Sequence, residues 1–262
     1  MQNVEKYAAT KSRIFISGNE GTGKKQLARV FHNASEYKDG PYIVFSPASF
    51  APDVLELEIF GRGIDAKDSF GSTQPKQGVL ERAKGGSLVI DEVANLPLEI
   101  QSKLLKTLAT NKFKRVGHEK EYNLECRIIS ISSKNMLGLI ESGAFKGDLY
   151  HRLNVVPIQM PDLKERREDI IPLCDYFIKS YANLTGKTIK RLSEEAESVL
   201  QSYDWPGNVR QLKNIVEWLF IMSKADADVI TAAALSSDIF SSVPNVPNSG
   251  SASQVENNAD IM

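Results

Sequence analysis

The segment Gly18-Asn19-Glu20-Gly21-Thr22-Gly23-Lys24-Lys25 separates an apolar run at residues 13–17 from residues 26–32, where apolar side chains return at helical spacing. Its glycines permit the positive φ angles and the close backbone approach by which consecutive N–H groups surround a polyphosphate. Lys24 adds a mobile ammonium, and the N-terminus of the following helix adds partial positive charge. The spacing G-x-x-x-x-G-K between a strand and a helix predicts a P-loop that binds nucleotide phosphates.

This segment departs from the P-loop pattern at Lys25, where the pattern has a serine or threonine that holds Mg²⁺. An ammonium group carries positive charge but has no lone pair to offer a metal ion. A glycine turn that precedes a helix by chance is the alternative interpretation, and the strand and helix on either side weigh against it.

The composition is that of an ordinary globular protein, since 42% of its 262 residues are hydrophobic and 25% are charged. The chain is long enough for one large domain or two modest ones. Its formal net charge of -1 argues against nucleic-acid binding over the whole surface and leaves a local basic patch open.

Cys126 and Cys174 lack the spacing of a metal site, so we expect two free thiols in a reducing compartment. Residues 1–6 are polar and lack the apolar segment of a secretory signal. No run approaches the ~20 apolar residues of a membrane span. The sequence therefore predicts a cytoplasmic protein without a membrane partner.

Short apolar runs alternate with helical patterns through the first 160 residues or so. The runs that indicate further strands lie at residues 41–46, 87–92, 127–132 and 155–158, and the second of these ends in two carboxylates. This rhythm predicts an α/β fold, with a parallel β-sheet covered by helices on both faces. Residues 61–78, which are polar and glycine-rich, are expected to form a long loop.

After Pro161 the pattern changes to helices alone, at about residues 168–181, 193–203 and 207–223, with Ser193 as an N-cap. From residue 236 onward the chain has few large apolar groups and cannot bury enough surface to offset the entropy of ordering. We therefore expect an α/β nucleotide-binding subdomain over residues 1–164, a small helical subdomain over 165–235, and a disordered tail or linker over 236–262.

Asp91 and Glu92 directly follow the apolar run at residues 87–90. Because ligands of α/β proteins bind at the carboxyl ends of strands, Asp91 can hold Mg²⁺ through water, and Glu92 can polarise the water that attacks a γ-phosphate. A strand that merely ends in acidic residues near the surface is the alternative. The carboxylate pair and the P-loop together favour ATP hydrolysis.

Hydrolysis also needs positive charge beyond that of Lys24, because negative charge spreads over the γ-phosphate oxygens in the transition state. Arg152 ends the segment GDLYHR at residues 147–152, and Arg210 ends WPGNVR at residues 205–210. The residue patterns alone leave two interpretations of each arginine open, a catalytic contact or a solvated surface charge.

Five segments together resemble the AAA+ domain of bacterial sigma-54-dependent transcription activators. They are the P-loop, GGSLVIDE at 85–92, DLYHRLNVVPI at 148–158, PDLKERREDI at 161–170 and WPGNVRQLKN at 205–214. The resemblance spans about residues 1–235 and is strongest to the central domain of NtrX-type response regulators, which are related to NtrC.

This resemblance implies an AAA+ fold with a helical lid, ATP or ADP and Mg²⁺ as ligands, and a hexameric or heptameric ring with its sites between subunits. Lys24 then corresponds to the Walker A lysine, and Asp91 and Glu92 to the Walker B pair. Arg152 corresponds to an arginine finger offered to the neighbouring subunit, and Arg210 to the sensor arginine of the lid.

Proteins of this family also carry a receiver domain, which a histidine kinase phosphorylates, and a C-terminal Fis-type helix-turn-helix that binds DNA. Neither is recognisable in this sequence. We therefore expect an excised central domain or a naturally short protein, with the receiver and DNA contacts outside this chain.

The chain departs from the family pattern at several functional positions. The G-A-F-T-G-A segment that contacts sigma-54 is missing from residues 62–84, where residues 68–73 are the nearest fragment, and this weighs against remodelling of sigma-54 RNA polymerase. Lys25 stands where the family commonly has glutamate. Ser133 replaces an asparagine and is a shorter orienter of the attacking water, and Lys146 replaces a second arginine without its bidentate contact. We therefore expect slow hydrolysis.

Two classes of function follow from these observations. One is a weak ATPase whose turnover drives ring rearrangement and thereby transcription control. The other is a nucleotide-binding, self-associating module that does not hydrolyse ATP and does not remodel polymerase. A small-molecule kinase is less favoured, because the sequence offers no candidate phosphoacceptor site.

Overall fold

A computed structural model of the chain describes residues 6–64, 74–223 and 228–232. The chain divides into two compact units, with the boundary between Asp162 and Leu163. Part of the predicted loop at residues 61–78 lies outside the described residues. The fragment at 68–73 and the predicted tail at 236–262 lie outside them entirely. None of the described helices is long and apolar enough to cross a membrane.

The strands of the first unit form a five-stranded sheet and a separate hairpin. In chain order they are β1 (Ile14–Ser17), β2 (Tyr42–Phe45), β3 (Ser87–Ile90), β4 (Lys112–Lys114), β5 (Glu121–Asn123), β6 (Arg127–Ser132) and β7 (Val156–Gln159). The large sheet has the order β2-β3-β6-β1-β7, and all its neighbouring strands are parallel. The carboxyl ends of its strands therefore meet at one edge.

Helices connect these strands. They are α1 (Lys24–Asn33), α2 (Pro52–Phe60), α3 (Val79–Arg82), α4 (Leu98–Thr110), α5 (Met136–Glu141) and α6 (Gly147–Leu153). Pro97 immediately precedes α4, where its fixed φ suits the start of a helix.

Both faces of the large sheet are buried, because successive strand side chains point to opposite sides. On one side the sheet residues pack in a cluster with Ala28 and Phe31 of α1; these sheet residues are Ile14, Ile16, Val89, Ile129 and Ile131. On the other side Phe15, Leu88, Ile90 and Ile128 pack with residues of helices α2 to α6. The predicted parallel α/β sheet with helices on both faces is thus confirmed.

Arg127 anchors the segment that precedes β1. Its side chain is almost fully buried and donates to the main-chain oxygens of Tyr7, Ala8 and Ser12 at 2.8, 3.1 and 3.1 Å. Burial lowers the pKa of this guanidinium. The three hydrogen bonds offset the loss of hydration that burial of a charge entails.

The second unit contains α7 (Ile170–Thr185), β8 (Arg191–Leu192), α8 (Glu194–Ser202), α9 (Asn208–Met222) and β9 (Val229–Ile230). The predicted small helical subdomain is confirmed, and it contains in addition the two short strands β8 and β9, which pair in parallel and were not predicted. Strands of two residues are too short to give an alternating pattern. The predicted N-cap is confirmed, since Ser193 Oγ accepts from the main-chain N–H of Ala196 at 3.2 Å.

Cys126 and Cys174 are free thiols, as predicted. Burial raises the pKa of each to about 12. Both are therefore protonated and unreactive near neutral pH, because the thiolate is the reactive form.

Candidate active site

The backbone of the P-loop requires glycine where it leaves β1. Gly18 has a φ of 140°, and a Cβ added there would lie 2.7 Å from the carbonyl oxygen of Met160. Met160 follows β7, and its N–H donates to Ser17 at 2.8 Å, so the sheet itself holds this neighbour against the loop. Gly23, with a φ of 98°, is the N-cap of α1 and leaves the first N–H groups of the helix open on the loop side.

Side chains of the loop brace its backbone. Thr22 Oγ1 donates to the carbonyl oxygen of Asn19 at 2.8 Å. Asn19 Nδ2 in turn lies 2.9 Å from both carboxylate oxygens of Asp162. Glu20, which lies between Asn19 and Thr22 in the sequence, is exposed. The loop is therefore held from within and also tied to the chain beyond β7.

Lys24 folds back over the loop. Its Nζ donates to the carbonyl oxygens of Gly18 and Asn19 at 2.7 and 2.8 Å, and the residue is only 6% exposed. The ammonium is thereby placed beside the loop's backbone and the N-terminus of α1. This concentration of positive charge and N–H donors suits an anionic ligand.

Asp91 follows β3 and pairs with the residue next to the P-loop lysine. Lys25 Nζ lies 2.7 Å from Asp91 Oδ2, and the two side chains are 59% and 10% exposed. The main-chain N–H of Asp91 donates to Phe45 at 2.8 Å, so the backbone at this carboxylate is fixed by the sheet. The ion pair joins the two sequence motifs directly.

The contacts of Lys25 and Asp91 bear on the predicted Mg²⁺ site. The sequence predicts that Asp91 holds Mg²⁺ through water, and the P-loop pattern adds a hydroxyl ligand directly after Lys24. Lys25 offers no oxygen ligand, and its ammonium already lies on the carboxylate. As arranged, these two side chains do not fit a magnesium ion. The positive charge at Asp91 comes from the protein.

Glu92 adopts a left-handed backbone conformation, with φ 54° and ψ 59°, which is uncommon for a residue with a side chain. Its Oε2 accepts from the main-chain N–H and from the Oγ of Ser133, at 2.9 and 2.8 Å. Sheet order explains the contact, because β6, which Ser133 follows, lies directly beside β3. The structure thus gives Ser133 a carboxylate partner, where the sequence predicted contact with water.

The two predicted arginines occupy different units. Arg152 is exposed on α6 in the first unit, where its carbonyl oxygen accepts from Arg13 at 2.9 Å. Burial, and next the charge of Arg152, lower the pKa of Arg13. Arg210 is exposed in the first turn of α9 in the second unit. Their predicted roles toward nucleotide remain predictions.

Strands β1, β3 and β6 therefore bring most of the predicted residues together at one sheet edge. The P-loop follows β1, the two carboxylates follow β3, and Ser133 follows β6. Sequence reasoning missed Asp162 and Met160, which support the loop. Their contacts depend on β7 lying beside β1, and that neighbourhood leaves no local signal in the sequence.

Two known family models match the chain, one in each of its two units. The family model of the Sigma-54 interaction domain matches residues 1–159, and that of the AAA+ ATPase lid domain matches residues 164–252. The nitrogen assimilation regulatory protein NtrX of Azorhizobium caulinodans is 43% identical over 246 residues, which are 94% of this chain and 53% of that protein. NtrC of Klebsiella pneumoniae is 38% identical over 253 residues, again 94% and 53% of the two chains.

A solved structure is similar over nearly the same range. NtrX from Brucella abortus in complex with ATP superimposes with a TM-score of 0.83 at 40% identity, over 95% of this chain and 54% of that one. The same protein in complex with ADP gives the same values. This chain spans about half the length of these relatives. It belongs to the Sigma-54 interaction domain family, as an AAA+ domain of the NtrX and NtrC type with its helical lid.

Proposed function

We propose that this chain binds ATP and ADP at the P-loop and hydrolyses ATP slowly. One observation carries the proposal: three strand ends at one sheet edge bring together the P-loop, Asp91 with Glu92, and Ser133. The ATP and ADP complexes of the Brucella abortus relative support the choice of ligand.

The P-loop would bind the phosphates through its main-chain N–H groups and Lys24. The ammonium of Lys24 now donates to two neutral carbonyl oxygens. Anionic phosphate oxygens are stronger acceptors than carbonyls, so the ammonium exchanges partners when nucleotide binds. Because Lys24 lies only six residues after Gly18, its ammonium stays beside the loop both with and without bound nucleotide.

Glu92 would act as the general base. Ser133 holds one of its carboxylate oxygens, which fixes the side chain and leaves the other oxygen to accept a proton from water. The water oxygen bonds to the γ-phosphorus as the bond from that phosphorus to the bridging oxygen breaks, and ADP departs with the electron pair. The hydroxyl hydrogen of Ser133 is donated to Glu92, so Ser133 would act on the attacking water mainly through this carboxylate, and we expect slow turnover.

Arg152 is proposed to serve a neighbouring copy in a hexameric or heptameric ring, because its guanidinium is exposed on α6. Arg210 is proposed to sense nucleotide from the lid. In the cytoplasm the assembly would control transcription together with a receiver domain, its histidine kinase and a DNA-binding domain. Residues 62–84 lack G-A-F-T-G-A, which favours control without remodelling of sigma-54 polymerase.

A second candidate function is a nucleotide-binding assembly module without hydrolysis. The Lys25–Asp91 ion pair favours it, because this carboxylate is engaged by the protein's own cation.

Phosphate release separates the two candidate functions. In the ATPase, Glu92→Gln reduces release by about a hundredfold or more while ATP affinity is retained. Glu99→Gln, on the exposed start of α4, is the matched control and keeps the rate. Equal background release from wild type and Glu92→Gln contradicts hydrolysis.

The shared site is tested by mixing subunits. Arg152→Ala protomers added to wild type should lower activity more than dilution requires, since each would disable its neighbour's site. Arg82→Ala, exposed on α3, serves as the control and should leave the activity of the mixture unchanged. A strictly proportional loss with Arg152→Ala would mean that each site is complete within one chain.

A further inference from the structure

The ion pair between Lys25 and Asp91 places a protein cation at the end of β3. Lys25 lies in the first turn of α1, and its carbonyl oxygen accepts from Tyr42 Oη at 3.3 Å. Its side chain is more than half exposed, whereas that of Asp91 is 10% exposed. The ammonium therefore reaches from the solvent side onto a nearly buried carboxylate.

The surroundings of this pair add further positive charge. Arg29, one helical turn beyond Lys25, lies with its guanidinium carbon 4.7 Å from the centre of the Tyr42 ring. With Lys24 beside the loop, the start of α1 presents three cationic side chains along one short helix. Of these, the ammonium groups of Lys24 and Lys25 lie beside the loop and Asp91, where a polyphosphate would meet their charge.

Lysine has the chemistry to replace a divalent cation here in part. Its ammonium has three N–H donors, of which one suffices for Asp91 Oδ2. The remaining donors can bind phosphate oxygens, which a metal ion would otherwise bridge to the carboxylate. A lysine holds charge but imposes no octahedral geometry, so it serves binding better than catalysis.

We propose that the Lys25 ammonium takes the place of the divalent cation at Asp91, so that this site binds nucleoside di- and triphosphates independently of Mg²⁺. The inference rests on the proposed nucleotide binding and goes beyond it.

The test is the affinity of the 262-residue chain for a fluorescent, non-hydrolysable ATP analogue, titrated with EDTA or with excess Mg²⁺. Wild type should bind equally in both, within about threefold. Lys25→Thr, which supplies the hydroxyl and frees Asp91, should bind about tenfold more weakly in EDTA and recover with Mg²⁺. Lys25→Met, with neither charge nor ligand, should bind weakly in EDTA without the recovery seen for threonine.

Lys106→Met, which removes an exposed lysine of α4, is the control and should behave as wild type. Thermal unfolding of each variant confirms that it is folded. A wild-type affinity that falls about tenfold or more when Mg²⁺ is removed overturns the inference and leaves nucleotide binding intact. Absence of binding in both solutions instead contradicts the proposed function itself.

Discussion

Ser133 donates two hydrogen bonds to a single carboxylate oxygen of Glu92, one from its main-chain N–H at 2.9 Å and one from its Oγ at 2.8 Å. Glu92 follows β3 in a left-handed backbone conformation, and this conformation sets the direction of its side chain. The neighbouring strand thus fixes the carboxylate proposed as general base.

We predict that Ser133→Ala lowers kcat for phosphate release by about tenfold, because only the main-chain N–H of residue 133 then holds the carboxylate of Glu92. The KM for ATP should stay unchanged, since Ser133 acts through Glu92. Ser133→Thr keeps the hydroxyl and should restore most of the rate. Steady-state phosphate release measures both constants, and equal losses in the two variants would rule out a role for the hydroxyl.

Gly18→Ala is predicted to abolish nucleotide binding. The added Cβ would lie 2.7 Å from Met160 O and 2.9 Å from Met160 Cβ, and the φ of 140° is strained for alanine. The main-chain atoms at Met160 are held by the sheet, so the loop must move instead.

The matched control is Gly143→Ala, because Gly143 also has a positive φ, 73°, but nothing lies within 4 Å of an added Cβ. It should lose about 1 kcal/mol of stability to backbone strain and keep its affinity. Fluorescence titration with an ATP analogue and urea unfolding measure the two effects. A loss of affinity in both variants would assign the effect to general destabilisation.

Much of this architecture could be predicted from the sequence, for physical reasons. Buried parallel strands are continuous apolar runs. The run Leu88-Val89-Ile90, with Asp91 and Glu92 after it, therefore predicted a buried strand that ends at the site. The glycine spacing of the P-loop is equally local. Both features are encoded by residues that are adjacent in the chain, and both were found.

Contacts between distant segments could not be predicted in the same way. The Lys25–Asp91 and Ser133–Glu92 pairs depend on which strands are neighbours, and the residue types alone allow several partners.

The hairpin of β4 and β5 was missed because each strand has three residues, and Phe113 is the one buried side chain of β4. Such a short alternation does not differ from loop sequence.

Ser130→Ala is predicted to stabilise the fold. Ser130 lies in the centre of the sheet, in register with Phe15 and Ile90, and its buried Oγ has no hydrogen-bond partner among the described residues. Removing an unpaired buried hydroxyl should raise the free energy of unfolding by about 1 kcal/mol.

Ser87→Ala is the matched comparison, because Ser87 is equally buried but its Oγ lies 2.9 Å from His32 Nδ1. It should lower the free energy of unfolding by about 1 kcal/mol or more, since it leaves a buried ring nitrogen unpaired. Urea unfolding of the two variants should therefore give shifts of opposite sign. Shifts of the same sign would show that packing, not hydrogen bonding, dominates at these positions.

His32 is predicted to make stability depend on pH in the weakly acidic range. The residue is buried at the end of α1 beside Ser87, Tyr42 and Arg29. Burial, and next the charge of Arg29, lower its pKa, which a hydrogen bond to the main chain of Lys38 partly opposes. The folded protein therefore keeps this imidazole neutral at pH values where the unfolded chain protonates it.

The sign follows from proton binding. Above the ordinary histidine pKa of about 6.5, His32 is neutral in both the folded and the unfolded protein, and its contribution to the free energy of unfolding is fully present. Below that value the unfolded state binds the additional proton, so the free energy of unfolding falls as pH decreases, by at most about 1.4 kcal/mol per pH unit. His32→Gln should flatten this fall below about pH 6.5. His151→Gln, at an exposed position, should retain the wild-type slope. Urea unfolding at several pH values gives these slopes, and identical slopes for wild type and His32→Gln would show that other groups control the pH dependence.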